Sequence, residues 1–429
     1  MQLANKQLQL TYRYNPLGHV QSLTYPDSDT VSFAPNALGQ PTQALRQRQH
    51  TPDYPYASGA LYYPSGSINT FTYGNNLVHK TTQNTQQLPS RISDGTGTIS
   101  ALDYSYAYDK NSNAAAITDN LNSQFSLLNL SYDGLDRLTA VTGNSAIGNS
   151  ALSYDELGNI TTYQSKNSLL HYTYTYNYTV NSSVYGDSSS NRLRHVSGAG
   201  SAAKHYVSFA YDNRGNIINN SYNHFHYNLA NQLTTAETAN NTYSYLYDGH
   251  NSRVKQTDAT GTSYSMYSFD GTLLYRETDA GHTNYIYLGK KLIAKDGFTQ
   301  PSSTKQHYRP FGSSIEGETN DIGYTGHKFD TALGLSYMQA RYYDPVIGRF
   351  YSNDPVDTLG HIDRGNPIHG FNRYTYANNN PYKYVDPDGE FGLVGALIGA
   401  AVEAGAQLAT ALMDPVIWHP ANFPYPLRV

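Results

Sequence analysis

The sequence contains no cysteine. This absence excludes disulfide bonds, thiolate metal sites and a cysteine nucleophile, and it makes the fold independent of the redox state of its compartment. Charged residues are also scarce, at 14% against roughly 25% in an average soluble domain. The formal net charge of −5 gives no basic footprint for nucleic acid, so we expect no nucleic-acid partner.

Tyrosine is the abundant aromatic residue, with 42 copies against 13 Phe and one Trp. Tyr and Thr favour strands, whereas Gly and Asn favour turns. The composition therefore predicts an all-β protein with many short connections. Because Tyr, Asn, Ser and Thr can occupy both faces of a strand, we expect a sheet that is wetted on both faces rather than a solid sandwich.

One pattern recurs along the chain: an aromatic residue, then Asp or Asn, then a short turn and an alternating strand. Neighbouring copies are 16 to 24 residues apart where the series is cleanest, which is enough for two strands and two turns. The copies begin at Tyr14, Tyr108, Tyr132, Tyr154, Tyr211, Tyr227 and Tyr247.

Each copy has the chemistry of a hairpin. The Asp or Asn can cap the backbone N–H groups of a turn, and Gly18, Gly158 and Gly215 stand three residues later, where a left-handed residue is needed. We expect the tyrosine ring to stack on the next repeat with its hydroxyl at the wet edge. In the segment around Tyr174, alternation puts every tyrosine on one face.

These tyrosine-aspartate repeats resemble those of the Rhs/YD-repeat family, and residues 308–389 resemble its Rhs repeat-associated core. The matching stretches are YRPFG (308–312), YTGHKFD (324–330), GLSYMQARYYDP (334–345), GRF (348–350), DP (354–355), NRYTY (372–376), NP (380–381) and DPDG (386–389). The resemblance implies a spiralling β-sheet shell, complete or partial, which the core segment closes at one end. The shell would enclose a C-terminal toxin or effector.

The resemblance also implies an aspartate-dependent autoprotease, and no other enzyme activity is expected. Asp354 and Asp386 match the family's catalytic aspartates, with Asp344 and Arg349 close in sequence, and the cut would fall between Glu390 and Phe391. A buried carboxylate pair can supply one ionised base and one protonated acid. Three features depart from the family pattern: Asp357 follows Asp354-Pro-Val where the family has Gly, the insert up to Asp386 is longer than in the typical cleaving form, and Glu390 replaces Leu.

The alternative interpretation of the Asp-Pro steps is structural. Proline fixes φ and the Asp oxygen caps the turn, so Asp344 and Asp354 would be turn caps and Arg349 would pair with one of them. His224 and His226 share one strand face, but no third ligand is evident, so we expect no metal site. Hydrolase, phosphate-loop and dinucleotide fingerprints do not occur, and we expect no cofactor.

We predict three domains: a YD-repeat shell at 1–300, the core at 301–390, and a C-terminal part at 391–429. Residues 391–413 are rich in Ala, Leu and Gly and predict a helix, packed inside the shell or starting a cargo region. Membrane contact through this segment is an alternative, which Glu403 disfavours. Only 40 residues follow Gly389 in the 429-residue sequence, too few for an ordinary toxin domain.

The expected partners are a toxin or effector cargo, or a second shell subunit, together with secretion machinery. The N-terminal stretch lacks the apolar core of a signal peptide, so we expect a bacterial protein made in the cytoplasm and exported to the outside or the cell surface by a signal-peptide-independent route. A hypothesis from a different class is a cell-surface adhesion module, in which the tyrosine-rich sheet would stack on glycans without enclosing anything.

Overall fold

A computed structural model describes residues 2–3, 6–180, 188–201, 203–298, 305–363 and 369–390. Strands account for 48% of the residues and helices for 4%, which confirms the all-β prediction. The predicted helix at 391–413 and the extended tail after it lie outside the described residues, as does Phe391.

The strands of the first half of the chain are short and follow one another closely. They are β1 (Gln2–Leu3), β2 (Lys6–Gln7), β3 (Thr11–Tyr14), β4 (Val20–Thr24), β5 (Thr30–Ser32), β6 (Ala44–Gln47), β7 (Tyr54–Tyr62), β8 (Ile68–Tyr73), β9 (Val78–Gln83), β10 (Pro89–Gly95), β11 (Ser100–Tyr108), β12 (Ala114–Asp119), β13 (Leu127–Tyr132), β14 (Leu138–Gly143), β15 (Asn149–Tyr154), β16 (Ile160–Lys166), β17 (His171–Asn177), β18 (Thr179–Val180), β19 (Ser188–Ser189) and β20 (His195–Gly200).

The second half has two further groups of strands. The first group is β21 (Ala210–Tyr211), β22 (Ile217–Asn219), β23 (His224–Tyr227), β24 (Leu233–Glu237), β25 (Thr242–Tyr247), β26 (Arg253–Asp258), β27 (Gly261–Tyr267), β28 (Leu273–Thr278), β29 (Gly281–Leu288) and β30 (Lys291–Gly297). The second is β31 (Lys328–Asp330), β32 (Leu335–Met338), β33 (Arg341–Asp344) and β34 (Arg349–Phe350). One short helix, α1 (Thr358–Asp363), and 3₁₀ turns at Ser123–Phe125, Tyr324–Gly326, His369–Phe371 and Ala377–Asn379 complete the described elements.

Two large antiparallel sheets dominate the fold, and their strand order follows chain order. A 16-stranded sheet runs from β3 to β17 and ends on β20, and a 10-stranded sheet runs from β21 to β30. β18 and β19 pair with each other, as do β1 and β2, and β31 to β34 form a separate sheet. Because nearly every strand pairs with its neighbours in sequence, the repeat region is one long meander of hairpins.

The turns have the predicted chemistry. Asp155 Oδ1 accepts hydrogen bonds from the backbone N–H of Leu157 at 2.9 Å and of Asn159 at 2.8 Å. Gly158, three residues after the Asp, has a φ of 74°, in the left-handed region that favours glycine. The same pair of hydrogen bonds caps the turns that begin at Asn15, Asn36, Asn84, Asp109, Asp133, Asp212, Asn228 and Asp248.

The repeat tyrosines differ from the expectation of a hydroxyl at the wet edge. Tyr132 donates its hydroxyl to the carbonyl of Ala114 at 2.7 Å, and Tyr154 donates to Leu138 at 2.6 Å. In each case the acceptor is the first strand residue after the preceding repeat's turn. Tyr108, Tyr211 and Tyr247 make the corresponding bonds to Pro89, Leu193 and Leu233. These five hydroxyls therefore tie their hairpins to the preceding ones.

One face of the meander is shielded from water where residues of 305–390 pack on it. In β17, Tyr172, Tyr174 and Tyr176 all lie on the buried face, as alternation predicts. This face joins one large apolar cluster with residues of 305–390, among them Phe311 and Phe350. The expectation of a sheet wetted on both faces is wrong for these strands, because aromatic side chains of the core segment exclude water there.

The two ends of the repeat region also meet. Leu23, Val31 and Phe71 from the start share an apolar cluster with Ile286 and Leu288 from the end. Polar bonds join the same elements: the Tyr25 hydroxyl donates to the Tyr285 carbonyl at 2.9 Å, and Arg46 pairs with Asp296 at 2.9 Å. The meander therefore turns back on itself. Among the described helical segments, none combines the length and apolar character needed to cross a membrane.

Candidate functional site

Arg341 brings two aspartates together inside the core segment, which we define as residues 305–390. Arg341 is the first residue of β33, Asp354 follows β34, and Asp386 follows the last 3₁₀ turn. The Nη2 atom of Arg341 lies 2.9 Å from Oδ2 of Asp354 and 2.9 Å from Oδ2 of Asp386. All three side chains are buried. The structure therefore places the two predicted carboxylates on one shared cation.

Both aspartates also form the corners that Asp-Pro steps predict. Oδ1 of Asp354 accepts from the Val356 N–H, and Oδ1 of Asp386 accepts from the Gly389 N–H, each at 2.8 Å. Gly389 has a φ of 74°, and a Cβ there would lie 1.9 Å from the Met338 carbonyl oxygen. One carboxylate oxygen thus caps a tight turn while the other faces Arg341, so the corner and the carboxylate pair are a single structure.

Arg341 is itself held from several sides. Its Nε donates to the Gly389 carbonyl, its Nη1 donates to the Arg373 carbonyl at 3.1 Å, and its guanidinium lies 3.6 Å from the centre of the Phe350 ring. Arg373 in turn donates to the Asp354 carbonyl, at 3.0 Å from its Nε. With its donors directed at three chain segments, the guanidinium fixes the relative position of both aspartates.

Two histidines lie at the edges of the site. His327 Nε2 donates to the Asp386 carbonyl at 2.8 Å, and burial lowers the pKa of His327 to about 4, so this ring is neutral near pH 7. His361 of α1 has its Nε2 3.7 Å from Oδ2 of Asp354. Asp357, where the family pattern has Gly, accepts from the Gly360 N–H at 2.8 Å and so caps the start of α1. The departure from the motif therefore begins the helix that carries His361.

Burial dominates the electrostatics of the pair. It raises the pKa of Asp354 to about 6 and the pKa of Asp386 to about 7, although the Arg341 charge opposes both shifts. The Asp354 and Asp388 carboxylates add to the rise at Asp386. Both pKa values therefore lie near neutrality, where one proton can be shared by the pair.

A cavity of about 360 Å³ reaches the site. Arg341, Pro355, Asp388 and Glu390 line one side of it, and repeat turns line the other. The Glu390 N–H donates to Oδ1 of Asp388 at 3.0 Å, which orients the chain at the cavity wall. The cavity is large enough to hold water next to Glu390.

Asp344 and Arg349, the other predicted site residues, are not brought to the pair. Asp344 accepts from the Val346 N–H at 2.9 Å and from the hydroxyls of Tyr206 and Tyr351, at 3.0 Å and 2.9 Å. Arg349 donates to Asn159, Tyr178 and Asn191. Asp344 is a turn cap, as the structural interpretation predicts, but the arginine that holds the aspartates is Arg341. It is the second residue of the ARYYDP stretch, and its role depends on non-local contacts that sequence spacing does not show.

No cluster of metal ligands is present in the part of the chain that the structure describes. His226 lies on an exposed strand face, 3.4 Å from Glu237. His224 contacts Asn219 instead. These histidines form solvated polar pairs.

Comparisons with known proteins point to toxin proteins. No family model matches the chain. The tRNA nuclease WapA of Bacillus subtilis is 27% identical over 298 residues, which covers 67% of this chain and 11% of WapA. Toxin subunit YenC2 of Yersinia entomophaga is 36% identical over 92 residues, 20% of this chain and 8% of that protein. The chain therefore spans about a tenth of the length of these curated relatives.

Solved structures confirm the fold. The crystal structure of TcdB2–TccC3 matches with a TM-score of 0.67 and 17% identity over 90% of this chain and 22% of that one. The Tc holotoxin pore of Photorhabdus luminescens matches with a TM-score of 0.58 and 15% identity. The match covers 90% of this chain and 21% of that one. By its repeats and its relatives the chain resembles Rhs-type and toxin-complex proteins, and it shares the β-shell fold of the solved toxin-complex structures.

Proposed function

We propose that this chain is the closing part of a toxin-related β-shell, which encloses an effector segment or partner, and that the core segment cuts the peptide bond between Glu390 and Phe391. The observation that carries the proposal is the buried Asp354–Arg341–Asp386 arrangement, four residues before the predicted cut. The division into a shell at 1–300, a core at 301–390 and a released part at 391–429 follows from it.

The proposed shell is larger than the part of it that this chain forms. The chain corresponds to 22% of the TcdB2–TccC3 chain that it matches. The remaining walls would come from further repeats or from a second shell subunit. The contact between the start and the end of the repeat region supports a curved wall, and the core segment covers the inner apolar face of that wall. The named toxin relatives support delivery outside the producing cell.

The cleavage step needs one base and one acid. We assign Asp354 as the base and Asp386 as the acid. Burial raises the pKa of both, to about 6 and about 7, so one can be ionised while the other keeps its proton near neutral pH. Asp354 takes a proton from water as the water oxygen bonds to the Glu390 carbonyl carbon. Asp386 polarises that carbonyl. The carbon–nitrogen bond then breaks, and the nitrogen of Phe391 leaves as an amine after protonation by the acid. One water molecule is consumed.

The chain is already held next to this bond. Arg341 binds the Gly389 carbonyl, and Asp386 binds the Gly389 N–H. These contacts fix the residue just before Glu390, which lowers the entropy cost of bringing the bond to the carboxylates. The cavity at Glu390 supplies the space for water.

Intact mass of the purified full-length chain tests the cleavage. We expect two species, one ending at Glu390 and one beginning at Phe391. A single full-length species after prolonged incubation at neutral pH would overturn the proposed cleavage. Enclosure is tested separately by size-exclusion chromatography of the cut protein. The C-terminal fragment should co-elute with the shell until the shell is unfolded, and free elution of the fragment would contradict enclosure.

A further inference from the structure

Amide side chains of the core segment bind the backbone of repeat turns right beside the aspartate site. Gln339, two residues before Arg341, donates its Nε2 to the Gly271 carbonyl at 2.7 Å. Asn353, immediately before Asp354, donates its Nδ2 to the Arg214 carbonyl at 2.8 Å. The two acceptors belong to different hairpins of the 10-stranded sheet.

A third amide makes the same kind of contact with the other large sheet. Asn372 donates its Nδ2 to the Leu157 carbonyl at 3.3 Å and to Oδ1 of Asn159 at 2.9 Å. The next residue, Arg373, is part of the site: its carbonyl accepts from Arg341 and from the Asp354 N–H, the latter at 2.9 Å. The segments of Arg341, Asp354 and Arg373 therefore each have an adjacent amide bound to a repeat turn.

The turn that meets Asn353 leaves no spare room. A Cβ on Gly215 would lie 2.3 Å from Nδ2 of Asn353 and 2.7 Å from the Tyr374 hydroxyl oxygen. The Tyr374 hydroxyl donates to the Gly215 carbonyl at 2.7 Å. A side chain at this turn would push the Asp354 segment outward, so the glycine sets how closely the sheet and the site approach.

The turn carbonyls are good reference points because the turns are rigid. In the turn at Asp212, the side chain caps two N–H groups and the Gly215 N–H bonds back to the Asp212 carbonyl at 3.1 Å. A backbone acceptor fixed in this way offers a hydrogen bond of defined position and direction. Three such acceptors from three hairpins define a frame on which the site segments are placed.

We propose that Gln339, Asn353 and Asn372 are positioning residues that assemble the Arg341–Asp354–Asp386 site on the turns of three repeats. The site then has its cleaving geometry only when these hairpins of both sheets are in their correct places, which couples an intact shell wall to cleavage. The inference rests on the proposed cleavage and adds the residues that control it.

The test uses the full-length chain with Asn353→Ala, Gln339→Ala and Gly215→Ala. Because a displacement of about 1 Å can slow an oriented reaction by roughly 100-fold, we expect each variant to cleave about 10-fold to 100-fold more slowly. Asn144→Ala is the control for the amides, since Asn144 is a half-buried amide that donates to the Ser123 carbonyl far from the site. Gly18→Ala is the control for Gly215, because its φ of 81° imposes similar strain and its Cβ would meet nothing within 4 Å.

A second readout separates this inference from the cleavage proposal. Amide hydrogen exchange at Val356 and Gly389 reports the two Asp caps whether or not the chain is cut. We expect faster exchange in Asn353→Ala and Gly215→Ala and unchanged exchange in the two controls. Asn353→Gln keeps an amide donor, so its exchange and cleavage should be closer to wild type than those of Asn353→Ala. Wild-type exchange and cleavage in all three test variants would overturn the inference. An uncut wild-type chain with the expected exchange differences would overturn only the cleavage.

Discussion

Asp212 in the repeat region and Asp354 in the core segment begin the same kind of turn, but their second carboxylate oxygens have different partners. In both, Oδ1 accepts from the backbone N–H two residues later, at 2.9 Å and 2.8 Å. The other oxygen differs. Oδ2 of Asp212 accepts from the amide of Asn216 at 2.8 Å and lies 3.6 Å from the half-exposed Arg214, whereas Oδ2 of Asp354 faces the buried charge of Arg341 at 2.9 Å.

The pKa values follow from that second contact and from burial. Burial acts to raise the pKa of Asp212, but hydrogen bonds from Asn216 and the backbone outweigh it and leave the pKa lowered. At Asp354, burial outweighs Arg341 and the pKa rises to about 6. The same turn-forming residue thus has a lowered pKa in a repeat turn and a raised pKa inside the core segment, where it can titrate near neutral pH.

The largest expected effect comes from removing the titratable groups. Asp354→Asn and Asp386→Asn should each slow cleavage by about 100-fold to 10,000-fold, because each removes the base or the acid while keeping the turn cap. Intact mass against time measures the rate.

Asp109→Asn is the matched change in the repeat region. Asp109 caps its turn in the same way, and Asn occupies the equivalent position at Asn15 and Asn36. We expect wild-type cleavage from this variant. An equal loss of cleavage rate in all three variants would mean that the aspartates of both regions act only as turn caps.

The next effect concerns stability. Arg341→Met leaves two buried carboxyl groups without their cation, which we expect to cost about 3–5 kcal/mol of unfolding free energy at pH 7. Because the pKa values of Asp354 and Asp386 are raised in the folded state, their ionisation destabilises the fold as the pH rises from about 4 towards 7. The loss in Arg341→Met should therefore shrink as the pH falls through that window. Urea unfolding at several pH values measures it.

Arg349→Met is the control for the pH dependence. Arg349 is equally buried but donates to Asn159, Tyr178 and Asn191, none of which titrates in this range. Its loss should be large and nearly constant between pH 4 and 7. A constant loss for Arg341→Met as well would show that the aspartates stay ionised, contrary to their raised pKa values.

What the sequence predicted correctly is mostly local. The Asp and Asn turn caps join residues two and four positions apart, and the buried tyrosines of β17 follow from alternation, so both are visible in a short window of sequence. The pair Asp354 and Asp386 was predicted through the family motif. Arg341 was missed because its contacts join β33 to segments that come later in the chain, and proximity of this kind follows from packing rather than spacing.

The failed expectations have the same origin. The tyrosine hydroxyls were expected at the wet edge, but Tyr132 and Tyr154 bond to carbonyls of the preceding repeat. Arg349 was expected to pair with an aspartate because it is close in sequence to both. In the fold, β34 directs it towards the turn at Asn159 and the Tyr178 ring instead. Non-local acceptors of this kind carry no sequence signature.

A smaller effect concerns the pH dependence of cleavage. Below about pH 6 Asp354 gains a proton and the base is lost; above about pH 7 Asp386 loses its proton and the acid is lost. The cleavage rate should therefore be bell-shaped with its maximum between these values. Rates from quenched samples across pH 4 to 9 check this. A rate that rises steadily to pH 9 would rule out a protonated aspartate as the acid.

The smallest effect tests whether the repeats are independent units. Tyr132→Phe and Tyr247→Phe each remove one hydroxyl bond to the preceding hairpin, at 2.7 Å and 2.9 Å, and should each cost about 0.5–1.5 kcal/mol. Tyr14→Phe is the control, because Tyr14 is 59% exposed. The effects of changes at distant sites without shared partners are additive, so the double variant should lose the sum of the two single losses of unfolding free energy.

In the core segment, Arg341→Met combined with Asp354→Asn should lose less unfolding free energy than the sum of the single losses, since each change already breaks the shared ion pair. Additive losses in both regions would show that the core segment is built of independent contacts, as the repeats are.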